Sequence, residues 1–224
     1  MMTKKLRLAF VTIGQSPRDD IVPEMLADIG GDVDAHEFGA LDGRSDQEIA
    51  DLAPRAGETA FATRLKNGSE VAISKERVEV WLEELLERID LQKFDAVVLL
   101  CTGTHVKPLR HTLMIEAQRI VDSMVESMAA SAQRLGVMLP LERQIAEFPQ
   151  RHVFNSVSTP KLVAASPYAG DDVAAKAAEL ADCDLVIMHC MGYSEAMRAE
   201  ARTAISAPVL LSRRIVSGAI RQII

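Results

Sequence analysis

The strongest constraint on this chain is a ten-residue stretch that occurs twice, from Asp95 to Thr104 and from Asp184 to Tyr193. Each copy is an apolar run ending in Cys-x-Gly, and the two agree at Asp95/Asp184, Val97/Val186, Cys101/Cys190 and Gly103/Gly192. The chain has only three cysteines, at positions 101, 183 and 190, and two of them hold the same place in the repeat. An internal repeat of this kind predicts two similar half-chains. Each half then carries one thiol out of the carboxyl end of a strand, which is where open α/β sheets bind ligands.

The rest of the chain alternates in the same rhythm. Arg7 to Ile13 reads as a strand closed by the turn residues Gly14-Gln15-Ser16-Pro17. Asp19 or Asp20 is expected to cap a helix over Ile21–Ile29, before a second strand over Val33–Phe38. Ser45 and Glu48 have capping-box spacing, and Pro54 should end the helix they start. The Asn67-Gly68 pair predicts a type I′ hairpin, an insertion near residues 61–74. Ser74 then opens an amphipathic helix whose face includes Val78, Leu82, Leu85 and Ile89, with Trp81 read as core. Phe94–Leu100 is the third strand, Leu113–Ile115 a fourth, and Ala117–Leu135 a long helix.

From Gly136 the rhythm restarts, with strands at Lys161–Ala165, Leu185–His189 and Val209–Leu211 and a closing helix at Ile215–Ile224. The expected class is α/β, two Rossmann-like lobes of mostly parallel sheets with helices on both faces. The lobes span residues 1–128 and 129–224, and the terminal helix has the option of packing back on the first lobe.

Composition narrows the partner. A formal charge of −7 and 4% aromatic residues argue against nucleic acid, whose binders carry a basic stripe or stacking platforms. No run is long enough to cross a membrane. A small molecule is the expected ligand, and self-association into a homodimer is left open. Three cysteines without metal-ligand spacing suit the reducing cytosol, hence a cytoplasmic protein. No Gly-rich nucleotide loop or zinc motif occurs, so no cofactor and no metal are expected.

A thiol ending the third strand of each half resembles the aspartate/glutamate racemase superfamily, which includes hydantoin racemases, maleate isomerases and arylmalonate decarboxylases. More narrowly, the chain resembles the AroM family through Phe10 to Arg18, the insertion from Leu65 to Ser74, and Val209 to Ser212. The resemblance implies racemase-like lobes related by a pseudo-two-fold axis with a ligand between them, and it makes Cys101 and Cys190 counterparts of the acid/base thiols. The residues that follow them, Thr102-Gly103-Thr104 and Met191-Gly192-Tyr193, depart from the Asn-Thr and Thr-His of amino-acid racemases.

Two thiols on opposite sides of one carbon suit removal and return of a proton beside a carboxylate, because a thiol near pKa ~8.5 is closer to neutrality than a hydroxyl. Backbone amides at the strand-to-helix junctions suit the carboxylate itself. The candidate substrate-binding residues are therefore Gly14, Gln15, Ser16 and Arg18 after the first strand, with Thr102, Gly103, Thr104, Met191, Gly192 and Tyr193 after the thiols. Arg18 reads equally as a ligand contact or as a partner of Asp19 or Asp20. His189 reads as core by strand alternation. His105 stays open, Arg213 and Arg214 are weaker candidates, and Cys183 reads as structural.

Two functions fit. One is a cofactor-independent racemase, epimerase or cis–trans isomerase of a small carboxylate. The alternative is a non-catalytic protein that binds or senses a small anionic metabolite in the same crevice.

Overall fold

A computed structural model describes residues 5–151, 154, 156 and 159–224. The first part of the chain runs β1 (Leu6–Thr12), α1 (Val22–Ile29), β2 (Val33–Gly39), α2 (Asp46–Asp51), β3 (Ala60–Arg64), β4 (Glu70–Ser74), α3 (Lys75–Asp90), β5 (Ala96–Leu99), β6 (Leu113–Glu116) and α4 (Ala117–Ala129). The second part runs β7 (Leu135–Leu139), α5 (Gln144–Arg151), β8 (Lys161–Ala164), α6 (Val173–Ala178), β9 (Leu185–Met188), α7 (Glu195–Ala204), β10 (Val209–Leu211) and α8 (Ser212–Ile220).

Two four-stranded parallel sheets result, ordered β2-β1-β5-β6 and β8-β7-β9-β10. The strand order is the same in both, as two copies of one lobe require. β3 and β4 form a separate antiparallel hairpin.

Strand alternation sorts side chains into three cores. Leu8 and Phe10 of β1, Ala96 and Val98 of β5, Val137 of β7 and Ile187 of β9 join one cluster shared by both lobes, together with α1, α4 and α8. The residues between them face outward. Val97 and Leu99 pack under α3, whereas Val186 and Met188 pack with residues of α6 and α7. Each buried leucine or isoleucine of α3, such as Leu82 or Ile89, contributes about 1.5–3 kcal/mol over its exposed state. The closing helix α8 packs on α1 and α4 of the first lobe.

Three local expectations differ from what is observed. The hairpin turn is closed by the Gly68 N–H on the Leu65 carbonyl and the Leu65 N–H on the Ser69 carbonyl. Gly68 has φ +90° but Asn67 is not at positive φ, so this is a three-residue loop with a glycine bulge rather than type I′. The Asn67 side chain is instead occupied by the N–H and hydroxyl of Ser69. Helix α1 has no side-chain cap, because Asp20 is engaged by Arg18. Helix α4 stops at Ala129, and Leu135 already belongs to β7. The Ser45–Glu48 capping box forms as expected.

Candidate active site

All strands of each sheet run parallel, so the segments leaving β1, β5, β7, β8 and β9 emerge at the carboxyl edges, and there they enclose one cavity. The first lobe contributes Arg18, Cys101, Thr102 and Gly103, and the second contributes Tyr168, His189, Cys190 and Met191. The hairpin covers them with Phe61, Ala62 and Thr63. The volume open to the centre of a water molecule is about 40 Å³, room for about three or four waters.

The thiols occupy equivalent positions. Cys101 packs beside the outer core of the first lobe and Cys190 beside that of the second, and each keeps some exposed surface. The residues before them, Leu100 and His189, point the other way in register. Leu100 joins the shared core, while the His189 ring meets Phe148 edge-on at 5.4 Å. Its Nε2 lies 3.0 Å from Asp122 Oδ1 of α4. His189 is buried, as alternation implied, and it also lines the cavity.

Arg18 is both a partner of Asp20 and a cavity residue. Its Nε and Nη2 donate to the two Asp20 oxygens at 2.9 and 2.8 Å, Nη1 donates to Thr12 Oγ1 at 2.9 Å, and Nη2 also reaches the Tyr168 hydroxyl at 3.1 Å. Burial pushes the Tyr168 phenol well up, so it stays neutral. Burial also pushes the Cys190 thiol up, only partly offset by the Gly192 N–H, Arg18 and the Tyr168 hydroxyl.

The other sequence candidates form the walls behind the cavity. Ser16 donates its hydroxyl and amide to Asp42, and the Gln15 side-chain oxygen Oε1 accepts the Lys66 main-chain N–H of the hairpin. Gly14 is needed because a Cβ there would collide with Thr63 Oγ1 and come within 2.8 Å of the Arg64 carbonyl. Thr104 is buried away from the cavity. Tyr193 gives its hydroxyl to the Ala165 carbonyl at 2.6 Å and sits in the second lobe's outer core. Gly192 stands behind Tyr168, where a Cβ would strike the phenol oxygen.

Arg213 is fully buried and donates to the carbonyls of Met191, Gly192 and Asp20, fixing the Cys190 loop from behind. Arg214 is exposed and faces Glu195. His105 is also exposed, and Cys183 is buried against Gly136. Sequence reasoning missed Tyr168 and Thr63. Tyr168 had one available signal, as one of two tyrosines and at the carboxyl end of a parallel strand.

The AroM protein family matches residues 8–224. The chain belongs to this family. No curated protein matches the AroM chain by sequence, but solved structures share its fold. A maleate cis-trans isomerase of Nocardia farcinica, a cysteine-to-serine mutant with a covalently bound succinylcysteine intermediate, superposes with a TM-score of 0.57 at 12% identity, over 98% of this chain and 92% of that one. Allantoin racemase from Klebsiella pneumoniae gives 0.55 at 14% identity, over 98% and 87%. Unliganded arylmalonate decarboxylase gives 0.55 at 12%, over 97% and 92%. At such identities the likeness shows that this AroM chain has the racemase-type α/β fold.

Proposed function

We propose that the chain is a cofactor-independent isomerase or racemase of a small carboxylic acid, acting with Cys101 and Cys190. The observation that carries the reading is that one thiol from each lobe lines a single small cavity. The neighbouring folds lend support, since the Nocardia isomerase is described with a covalent cysteine adduct. In this reading Cys190, held neutral by burial, gives a proton while Cys101 either takes one from the other face of the same carbon or adds to a C=C whose π bond breaks, Cys190 protonating the neighbouring carbon and taking that proton back as Cys101 is expelled. Amides at the strand-to-helix junctions and the Arg18 guanidinium receive the carboxylate. Three cysteines outside any disulfide suit a reducing cytoplasm.

The test is a panel of small carboxylic acids in deuterated water, followed by proton NMR for exchange beside the carboxylate and for cis–trans conversion. An active acid should lose its turnover after thiol alkylation. Turnover that survives complete alkylation of Cys101 and Cys190 rejects the mechanism. Binding throughout the panel with no turnover favours the sensing protein instead.

A further inference from the structure

The cavity wall bears on which acid enters. Most of it is apolar, with Ile13, Phe61, Leu100, Leu139, Phe148 and Met191 among the residues that line it. Among the described residues no Asp, Glu or Lys lines it, and Arg18 and His189 are the basic side chains that do. Each already faces a carboxylate, Arg18 on Asp20 at 2.8 Å and His189 on Asp122 at 3.0 Å.

Asp20 also faces Arg64 of the hairpin at 3.4 Å, Glu37 accepts the Arg18 main-chain N–H and Glu70 stands opposite Arg64, so Arg18 is the guanidinium that this corner presents to the cavity. Arg213, behind it, faces Glu24 at 3.1 Å. One further polar residue borders the cavity. Thr63 lines the cavity at 1% exposure, and its hydroxyl has no partner among the described residues.

One guanidinium on the wall suits one carboxylate. A second carboxylate would be desolvated against the apolar wall with no cation of its own. An ammonium group would meet the Arg18 guanidinium and no carboxylate on the wall. We infer that the cavity selects a short monocarboxylic acid whose remainder is uncharged and apolar, a 2-alkenoate or its saturated counterpart, over dicarboxylates and α-amino acids of equal length. This rests on the cavity being the substrate site proposed above.

Calorimetric titration of the full chain with crotonate, maleate and 2-aminobutyrate, all with four carbons, tests it. Crotonate should bind roughly tenfold tighter or more than either of the others. Maleate or 2-aminobutyrate binding as tightly as crotonate, or no binding by any of the three, overturns the inference.

Two variants address its electrostatic basis. Asp20→Asn removes the carboxylate shared by Arg18 and Arg64, so the affinity for maleate relative to crotonate should rise about tenfold. Arg64→Gln, at a partly exposed side chain, leaves Asp20 to Arg18 alone, lowers the positive potential at the cavity and should weaken crotonate about tenfold. Unchanged affinities in Arg64→Gln refute the charge account even if Asp20→Asn fails to fold. Tighter binding of crotonate with no turnover anywhere in the acid panel leaves the selectivity standing and removes the catalytic reading, whereas turnover of maleate with weaker crotonate binding does the reverse.

Discussion

Thr102 Oγ1 donates a hydrogen bond to the main-chain carbonyl of His189 at 3.2 Å. The bond joins the residue after one thiol to the residue before the other and crosses from lobe to lobe. Both partners are buried, so the two strand ends that carry Cys101 and Cys190 are fixed to each other. Two further contacts tie the second lobe to the cover of the cavity. Gln144 donates to the Ala60 carbonyl at 2.8 Å, and the Ser166 hydroxyl bonds Glu70.

Thr102→Val keeps the side-chain shape and leaves the His189 carbonyl without its donor. The expected loss is about 1–3 kcal/mol of unfolding free energy, read by urea denaturation. Thr102→Ser should retain most of the stability.

Arg213 satisfies three carbonyls from a fully buried position. Arg213→Met should cost about 3–5 kcal/mol, because the carbonyls of Met191 and Gly192 lose their donor and Glu24 loses its cation. A loss under about 1 kcal/mol in the same denaturation experiment would contradict this role.

Gly192→Ala introduces a Cβ where the Tyr168 hydroxyl lies. Tyr168 must then leave Arg18 and Cys190, with a stability loss of about 1–3 kcal/mol and a sharp weakening of small-acid binding. Tyr168→Phe should melt close to wild type yet still bind the acid less well, since the ring stays and the hydroxyl goes. Titration calorimetry on both variants separates packing from recognition.

The repeat made the architecture legible. Matching cysteines implied matching lobes, and the two sheets share one strand order. The hairpin insertion also came from a local signal, although its turn type did not, because the Asn67 side chain took the Ser69 amide instead of adopting positive φ. The lining of the candidate cavity was legible only where the residue's own strand decides its place, as for Cys101, Cys190, Thr102, Gly103 and Met191.

It was illegible where a distant residue claims a side chain first. Ser16 is taken by Asp42, and Tyr193 by the Ala165 carbonyl. Arg18 serves two roles because the Asp20 pair itself lies against the cavity. Tyr168 arrives from a loop after β8 that no motif marks, and His189 lines the cavity because the shared core ends at the cavity floor.

The Cys190 thiol carries a pH signature. Burial raises it above its ordinary value of 9.0, so the folded chain keeps the proton where the unfolded chain releases it. Its contribution to stability is therefore fully present below about pH 9 and is lost as pH rises through the folded value. Cys183, Tyr168 and Tyr193 shift in the same direction, so the comparison must be with Cys190→Ser. Urea denaturation from about pH 8 to about pH 11 should show wild type losing stability more steeply than the variant. Equal slopes would mean that Cys190 titrates as a solvated thiol.

The central claim is that two thiols, one from each lobe, work as a unit on one substrate. A kinetic cycle of Cys101→Ser, Cys190→Ser and the double variant measures this directly, on the acid that turns over fastest in wild type. Each single change should lower kcat by about 10²–10⁴-fold. The double variant should be little worse than the weaker single, because neither thiol completes the reaction alone. A double variant that retains wild-type turnover, or two losses that multiply independently, would contradict the account.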